Sequence, residues 1–449
     1  MMDRYTKSDD YLARALKVTP GGAQTLSKRA SRFPEGAYPT ALTEGMGAYV
    51  WDLDGHKYLD MICGLACMTL GYARRDVVLP VAAQLGRGVA FSLATELEAD
   101  VAEKICAMIP CAEMVRFTKT GSESTEAAIR IARKATGREQ VITVGDGYSS
   151  WHSWFQVLKP EHPGIPCPYA EMVRSIDYNA TDEELELSFQ KYDPRSGSPG
   201  PDGGWWRCDI AAVILEPCHY IQPRAGFLEK LCALCDQRGA VLIFDEMVTG
   251  FRFSNGGAQE YFNVIPDLAC FGKACANGFP LSFVCGKREL MEHADVVSGT
   301  FGGEAMSLAA CNAVLDIYRD EPIIETLWAR GTQFQDGFND MAEVLGVPVI
   351  CDGFAVKPRI KFLAEDGIEN IGTMNNRAMS LFLQETALRG ILWHPAGGNI
   401  SAAMTEKDID DAIMAMGLAL NVVGIALQSG DWSVLKGKPI QSTTFVRKS

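Results

Sequence analysis

Apolar and polar positions along the middle of the chain follow two alternating periods. "VRFTKTG" reads as a short strand running into a glycine turn, and "SESTEAAIRIARKATG" has the spacing of an amphipathic helix. "QVITVGDG" is a strand, and "IAAVILEP" is a strand with a continuous apolar run. "GFLEKLCALCDQRG" is a helix ended by Gly239, followed by the apolar strands "AVLIFDE" and "DLACFG". Continuous apolar runs separated by amphipathic helices are the pattern of parallel strands buried on both faces, so the expected fold class is α/β with a doubly wound layer. After about residue 309 the pattern changes to helices mixed with shorter strands, which predicts a second, smaller α+β region. The Pro- and Gly-rich "YDPRSGSPGPDGG" (192–204) reads as a surface loop. The apolar stretch "AIMAMGLALNVVGIAL" (412–427) is interrupted by Asn421 and falls short of the ~20 residues that span a bilayer. It follows the acidic "TEKDIDD", a good helix start, and reads as a buried helix.

Composition narrows the partners. A chain of 449 residues holds about two or three domains. Hydrophobic residues at 47% and charged residues at 22% are ordinary for a globular protein with a large core. The net charge of −14 disfavours a nucleic-acid partner, although backbone amides can still hold a small anion. The 14 cysteines are scattered singly apart from "CALC", with no CxxC…CxxC pair for zinc. The opening "MMDRYTKSDDYLARALKV" lacks the apolar core of a signal peptide. Free thiols in a reducing cytoplasm, with no membrane, are therefore expected.

Three groups carry candidate chemistry. In open parallel sheets, ligands bind at the carboxyl ends of strands. "AAVILEP" ends in Glu216, and "AVLIFDE" ends in Asp245 and Glu246. Glu216 taken alone reads as a loop cap, whereas Asp245 has Lys273 following one strand later. "TKTGSES" sits at a strand-to-helix junction, where Gly121 permits close backbone approach and free amides can bind phosphate. The plain structural reading of that stretch is a capping box around Ser122 or Ser124. "FGKACANGFP" holds Lys273 among small and apolar residues, either as a surface loop or as a lysine whose amine is made nucleophilic by loss of water. A phosphate cradle, an aspartate at a strand end and a lysine in a glycine turn are together what pyridoxal 5'-phosphate (PLP) needs. They serve its phosphate, its pyridine nitrogen and its aldehyde.

With these residues in view, "LIFDEMVTGFR", "GKACANGFP", "TGSESTEAAIRIARKATGR", "WDLDGHKYLD" and "SGTFGGEAMSLAA" resemble the class III (fold type I) PLP aminotransferases. The branch they are most similar to is that of glutamate-1-semialdehyde 2,1-aminomutase. The resemblance implies a mostly parallel large domain at 61–308 and a small domain built from an N-terminal segment (1–60) and the C-terminal part (309–449). It implies Lys273 as the Schiff-base lysine and Asp245 as partner of the pyridine nitrogen. Met247 would pack on one ring face, where the family more often has valine, and Tyr148 would stack on the other. Gly121 and Ser122 would hold the phosphate, Glu216 would sit near the ring hydroxyl, and Thr300 would reach the phosphate of a neighbouring subunit in a homodimer.

The departures from the aminomutase bear on substrate. Its substrate-holding arginine after "PGG" falls on Lys28 here, and its Ser-Trp-Gly stretch is replaced by "GLA" at 64–66. Ser149-Ser150 replaces a common His-Gly, and Glu304 stands where the aminomutase has Asn. Lys28 lacks the arginine fork. The expectation is a ping-pong transaminase moving an amino group from a donor such as glutamate to an aldehyde or ketone. Its rivals are aminomutase-type intramolecular transfer and a non-catalytic PLP-binding regulator.

Overall fold

A computed structural model describes residues 4–145, 151–156, 164–189, 210–218, 220–363 and 373–440. Tyr148, Ser149, Ser150 and the 192–204 segment lie outside the described residues. The chain forms two compact units, Met1–Arg75 with Glu325–Ser449, and Asp76–Ile324.

In the first unit, β1 (Leu42–Met46), β2 (Tyr49–Asp52) and β3 (Lys57–Asp60) make an antiparallel meander. The second unit carries seven strands: β4 (Met114–Thr118), β5 (Gln140–Val144), β6 (Val173–Ile176), β7 (Ile210–Leu215), β8 (Val241–Asp245), β9 (Leu268–Phe271) and β10 (Ser282–Gly286). The chain then returns to the first unit through the hairpin of β11 (Val349–Phe354) and β12 (Lys357–Phe362), and through β13 (Ile391–Leu392), which pairs parallel with β3.

The large sheet has the order β4-β10-β9-β8-β7-β5-β6. The run from β6 to β9 is parallel, and β10 is antiparallel to both of its neighbours. Every residue of β5, β7, β8, β9 and β10 is buried, which is why these segments read as unbroken apolar runs. Burial on both faces looks the same whichever way a strand points, so the reversal at β10 has no signature in composition. Its two antiparallel pairings cancel: β4 points as β9 does, and the carboxyl ends of β4, β7, β8 and β9 share one edge of the sheet.

The expected domain cuts after residues 60 and 308 differ from the unit boundaries after Arg75 and Ile324. Backbone hydrogen bonds tie residues 61–75 to the first unit: Met61 donates to Leu392 at 3.1 Å, Asn399 to Met61 at 2.8 Å, and Ala402 to Thr69 at 2.8 Å. The helix Ala305–Asp320 packs on the helix Glu96–Met108 and on the Lys273 turn, which keeps it in the second unit.

The C-terminal apolar stretch is part of a longer helix than its interrupted run implied, Glu406–Ser429, capped by Thr405 and Asp408. Its 24 residues are long and apolar enough to cross a membrane by length and composition. Ile409, Ala412, Met416, Leu420 and Val423 are buried, a three-to-four spacing, and the helix packs on Thr373–Leu388 of its own unit.

Candidate active site

Asp245 is the last residue of β8 and only 2% exposed. Leu215 pairs with Phe244 in the ladder, so Glu216, one step on, stands level with Asp245. On the other side Asp245 pairs with Cys270, three residues before Lys273. Burial pushes the Asp245 carboxyl well above the usual carboxylate range, and the Glu216 charge adds to the rise. The Lys273 charge and the Met247 amide, which donates to Asp245 Oδ1 at 3.1 Å, work the other way. Asp245, Glu216 and Lys273 thus form one electrostatic group at the sheet edge.

Lys273 opens a short 3-10 turn, Lys273–Ala276, directly after β9 and Gly272. Its φ of +48° lies in the left-handed region, which costs a residue with a Cβ roughly 1–2 kcal/mol. Backbone strain of this kind concentrates where function over-determines the chain. Gly272 is required by space: a Cβ there would lie 2.5 Å from Ser282 Oγ and 2.7 Å from Met247 Sδ.

The cradle lies at the carboxyl end of β4. The capping box expected at Ser122 or Ser124 is built instead by Thr120 and Glu123: the Glu123 amide donates to Thr120 Oγ1 at 3.3 Å, and the Thr120 amide to Glu123 Oε2 at 2.9 Å. This leaves the Gly121 and Ser122 amides, at the start of the helix Gly121–Thr136, without a partner among the described residues. Thr118 Oγ1 and Ser124 Oγ lie 2.6 Å apart, and Cys270 Sγ donates to the Ser124 carbonyl at 3.4 Å, fastening the cradle to β4 and β9. A Cβ on Gly121 would meet Met247 Sδ at 2.8 Å. The buried Met247 thioether therefore fills the slot between Gly121 and Gly272, and its backbone amide holds Asp245.

Three further expected positions can be located within their own units. Glu304, expected near substrate, caps the helix Ala305–Asp320: its Oε2 accepts from the Met306 amide at 2.8 Å, and its Oε1 from the Ser307 amide at 3.1 Å and from Lys119 Nζ at 2.6 Å. Both carboxylate oxygens are committed, so the residue is part of the framework. Thr300 is exposed on the turn between Gly299 and Gly303. Lys28 is exposed in a 3-10 turn of the first unit.

Sequence reasoning passed over Lys119, whose only signal was a lysine directly after a strand, and His152. His152 Nε2 lies 3.1 Å from Thr125 Oγ1, which donates to the Gly121 carbonyl at 3.1 Å. Burial pushes the imidazole down to about 3, so it is neutral near pH 7. Glu246 also proves structural. Fully buried, it accepts from the Ala258 and Gln259 amides at 2.8 and 2.9 Å and from the Thr249 hydroxyl. Glu246→Ala strands these three donors and is expected to destabilise the apo-protein by roughly 3 kcal/mol or more, read as a fall in Tm; an unchanged Tm would disprove this role.

The donor set fits PLP on three counts. Two unpaired amides at a helix start suit a phosphate, and glycine keeps that approach open. A buried carboxyl raised by loss of water and by the Glu216 charge suits a pyridinium nitrogen. A lysine beside it suits the aldehyde. Fold and site together define a PLP-dependent enzyme of amino-group transfer. The chain belongs to the class-III aminotransferases, whose family model matches residues 32–348. It is 34% identical over 427 residues to a glutamate-1-semialdehyde 2,1-aminomutase of Syntrophobacter fumaroxidans, covering 90% of this chain and 94% of that protein. A protein of the same name from Chloroflexus aggregans is 31% identical, covering 92% and 97%. Among solved structures, the PLP internal aldimine form of the Sphingopyxis sp. MTA144 FumI protein superposes with a TM-score of 0.85 at 27% identity, covering 94% of this chain and 98% of that one.

Proposed function

We propose that the chain transfers an amino group within one small substrate, in the manner of a glutamate-1-semialdehyde 2,1-aminomutase. The observation that carries this reading is the 34% identity, over nearly the whole of both chains, to a protein of that name. PLP, when bound, supplies an electron-withdrawing ring and a carbon that accepts the amino group. The protein does the rest. Lys273 would hold the cofactor's aldehyde and would carry the proton at the reacting carbon, as base and then acid. Asp245 would keep the ring nitrogen protonated, the Gly121 and Ser122 amides would hold the phosphate, and Glu216 would sit near the ring hydroxyl. By the family resemblance, Met247 and Tyr148 would pack on the two ring faces, and Thr300 would reach the phosphate of a neighbouring subunit.

A homodimer fits the exposed Phe91, Leu93 and Phe301: the first two follow Val89, whose carbonyl accepts from the Ala305 amide at 2.9 Å, and the third is next to Thr300 in the chain. The described cysteines are free, which supports a cytoplasmic setting.

A second reading, transamination between two substrates, is favoured by Lys28 in place of the arginine and by the "GLA" segment. That segment lies in a left-handed turn with positive φ at Cys63, Gly64, Leu65 and Ala66, a backbone unlike an ordinary helix start. One assay separates the two readings. Holoenzyme mixed with glutamate 1-semialdehyde alone is expected to yield 5-aminolevulinate over many turnovers. If that compound is left unchanged, while an amino donor alone gives one equivalent of keto acid per site and stops until a carbonyl acceptor is added, the transaminase reading stands instead.

A further inference from the structure

Three segments of the second unit meet at one ammonium group. Lys119 directly precedes Thr120, the cap of the cradle helix, and its own amide donates to Glu123 Oε2 at 2.7 Å. Its Nζ donates to Glu304 Oε1 at 2.6 Å, to the Pro280 carbonyl at 2.9 Å and to Ser307 Oγ at 3.2 Å. An ammonium has three protons, and all three are used. Pro280 closes the segment that begins with Lys273. Glu304 and Ser307 begin the helix that follows the Thr300 turn. The pair is shielded, with side-chain exposures of 18% for Lys119 and 5% for Glu304. Burial would raise the Glu304 carboxyl, but Lys119 and the Ser307 and Met306 bonds outweigh it and hold the group below the usual carboxylate range, so it is charged.

A shielded ion pair is a weak source of stability, because an apolar pair of similar volume often does as well. What it supplies is direction: three hydrogen bonds of set length between loops distant in sequence. We propose that Lys119 and Glu304 are positioning residues for the cofactor, holding the Gly121 and Ser122 amides at a set distance from the Lys273 turn. This rests on the PLP reading of the site and adds two residues that touch neither the cofactor nor the substrate. It also accounts for a lysine and a glutamate at two loop positions with no catalytic assignment.

The test measures two quantities on each purified apo-protein: its Tm, and its Kd for PLP by titration of intrinsic fluorescence. Lys119→Met leaves the Glu304 carboxylate buried without its counter-charge, held only by the Met306 and Ser307 amides, so both should worsen: a lower Tm, and a Kd raised roughly tenfold or more. The double variant Lys119→Met/Glu304→Gln removes both charges, so Tm should return toward wild type while Kd stays weak. Lys119→Arg, which keeps the charge but not the point geometry, should recover only part of the affinity. A double variant that regains both Tm and Kd, or single variants that lose Tm with Kd within about twofold of wild type, would show a purely structural pair. Wild-type protein that fails to bind PLP would overturn the cofactor reading and this inference with it. Wild type that binds, with variants that match it, overturns the inference alone.

Discussion

Lys273→Ala is expected to abolish turnover while the protein remains folded. The variant loses both the covalent tether and the proton carrier. A positioned base alone is worth ~10²–10⁴ in rate, and the lost covalent step adds to that. Borohydride treatment of wild-type holoenzyme should leave the reduced pyridoxyl group on the peptide that contains Lys273, found by mass mapping, and the variant should take up no label. Label on any other lysine would displace Lys273 from its role. The fold should survive, because alanine meets the same left-handed backbone at φ +48° that lysine does. Lys273→Gly offers a control: equally inactive, yet more stable as apo-protein, since glycine adopts that φ without the cost. A Gly variant no more stable than the Ala variant would show that the turn carries no backbone strain.

Asp245→Asn is expected to pull stability and activity in opposite directions. In the apo-protein the Asp245 carboxyl titrates above its unfolded value because of burial and the nearby Glu216 charge. A carboxyl raised in the folded state contributes stability that is fully present below its unfolded pKa of about 4 and is lost as pH rises through the folded value. Asparagine has no charge to acquire. The apo-variant should therefore match wild type at about pH 4 and below, and exceed it in Tm increasingly up to pH 8. With PLP bound the order should reverse, since the Asp245 carboxylate would pair with a pyridinium nitrogen and a neutral asparagine would not. Turnover should fall ~10²–10⁴-fold. A Tm difference that does not change with pH would refute the raised carboxyl, and activity within a few-fold of wild type would refute the contact with the ring nitrogen.

The large unit and the centre of the site were legible in the residues for one reason. Strands buried on both faces must be apolar throughout, so β5, β7, β8 and β9 announce themselves as runs. Parallel strands then bring their carboxyl ends to one edge, so an aspartate ending one run and a lysine just after the next are neighbours before any coordinates are known. Gly121 was legible as a place where the backbone must stay bare, though not what fills the space beside it. Local chemistry of this kind is written within a few residues of itself.

What the tertiary structure alone decided is non-local. The direction of β10 depends on its pairing with Thr118 and Phe271, not on its composition. Met247 joins two glycines that lie on different strand ends. The helix at 305–320 went to the large unit through packing that its own periodicity does not show. Glu304 read as a substrate group because a carboxylate after "FGG" is chemically free until its partner is known. Its partner, Lys119, is 185 positions away, and no pattern along a chain records which two charges the fold will bury against each other.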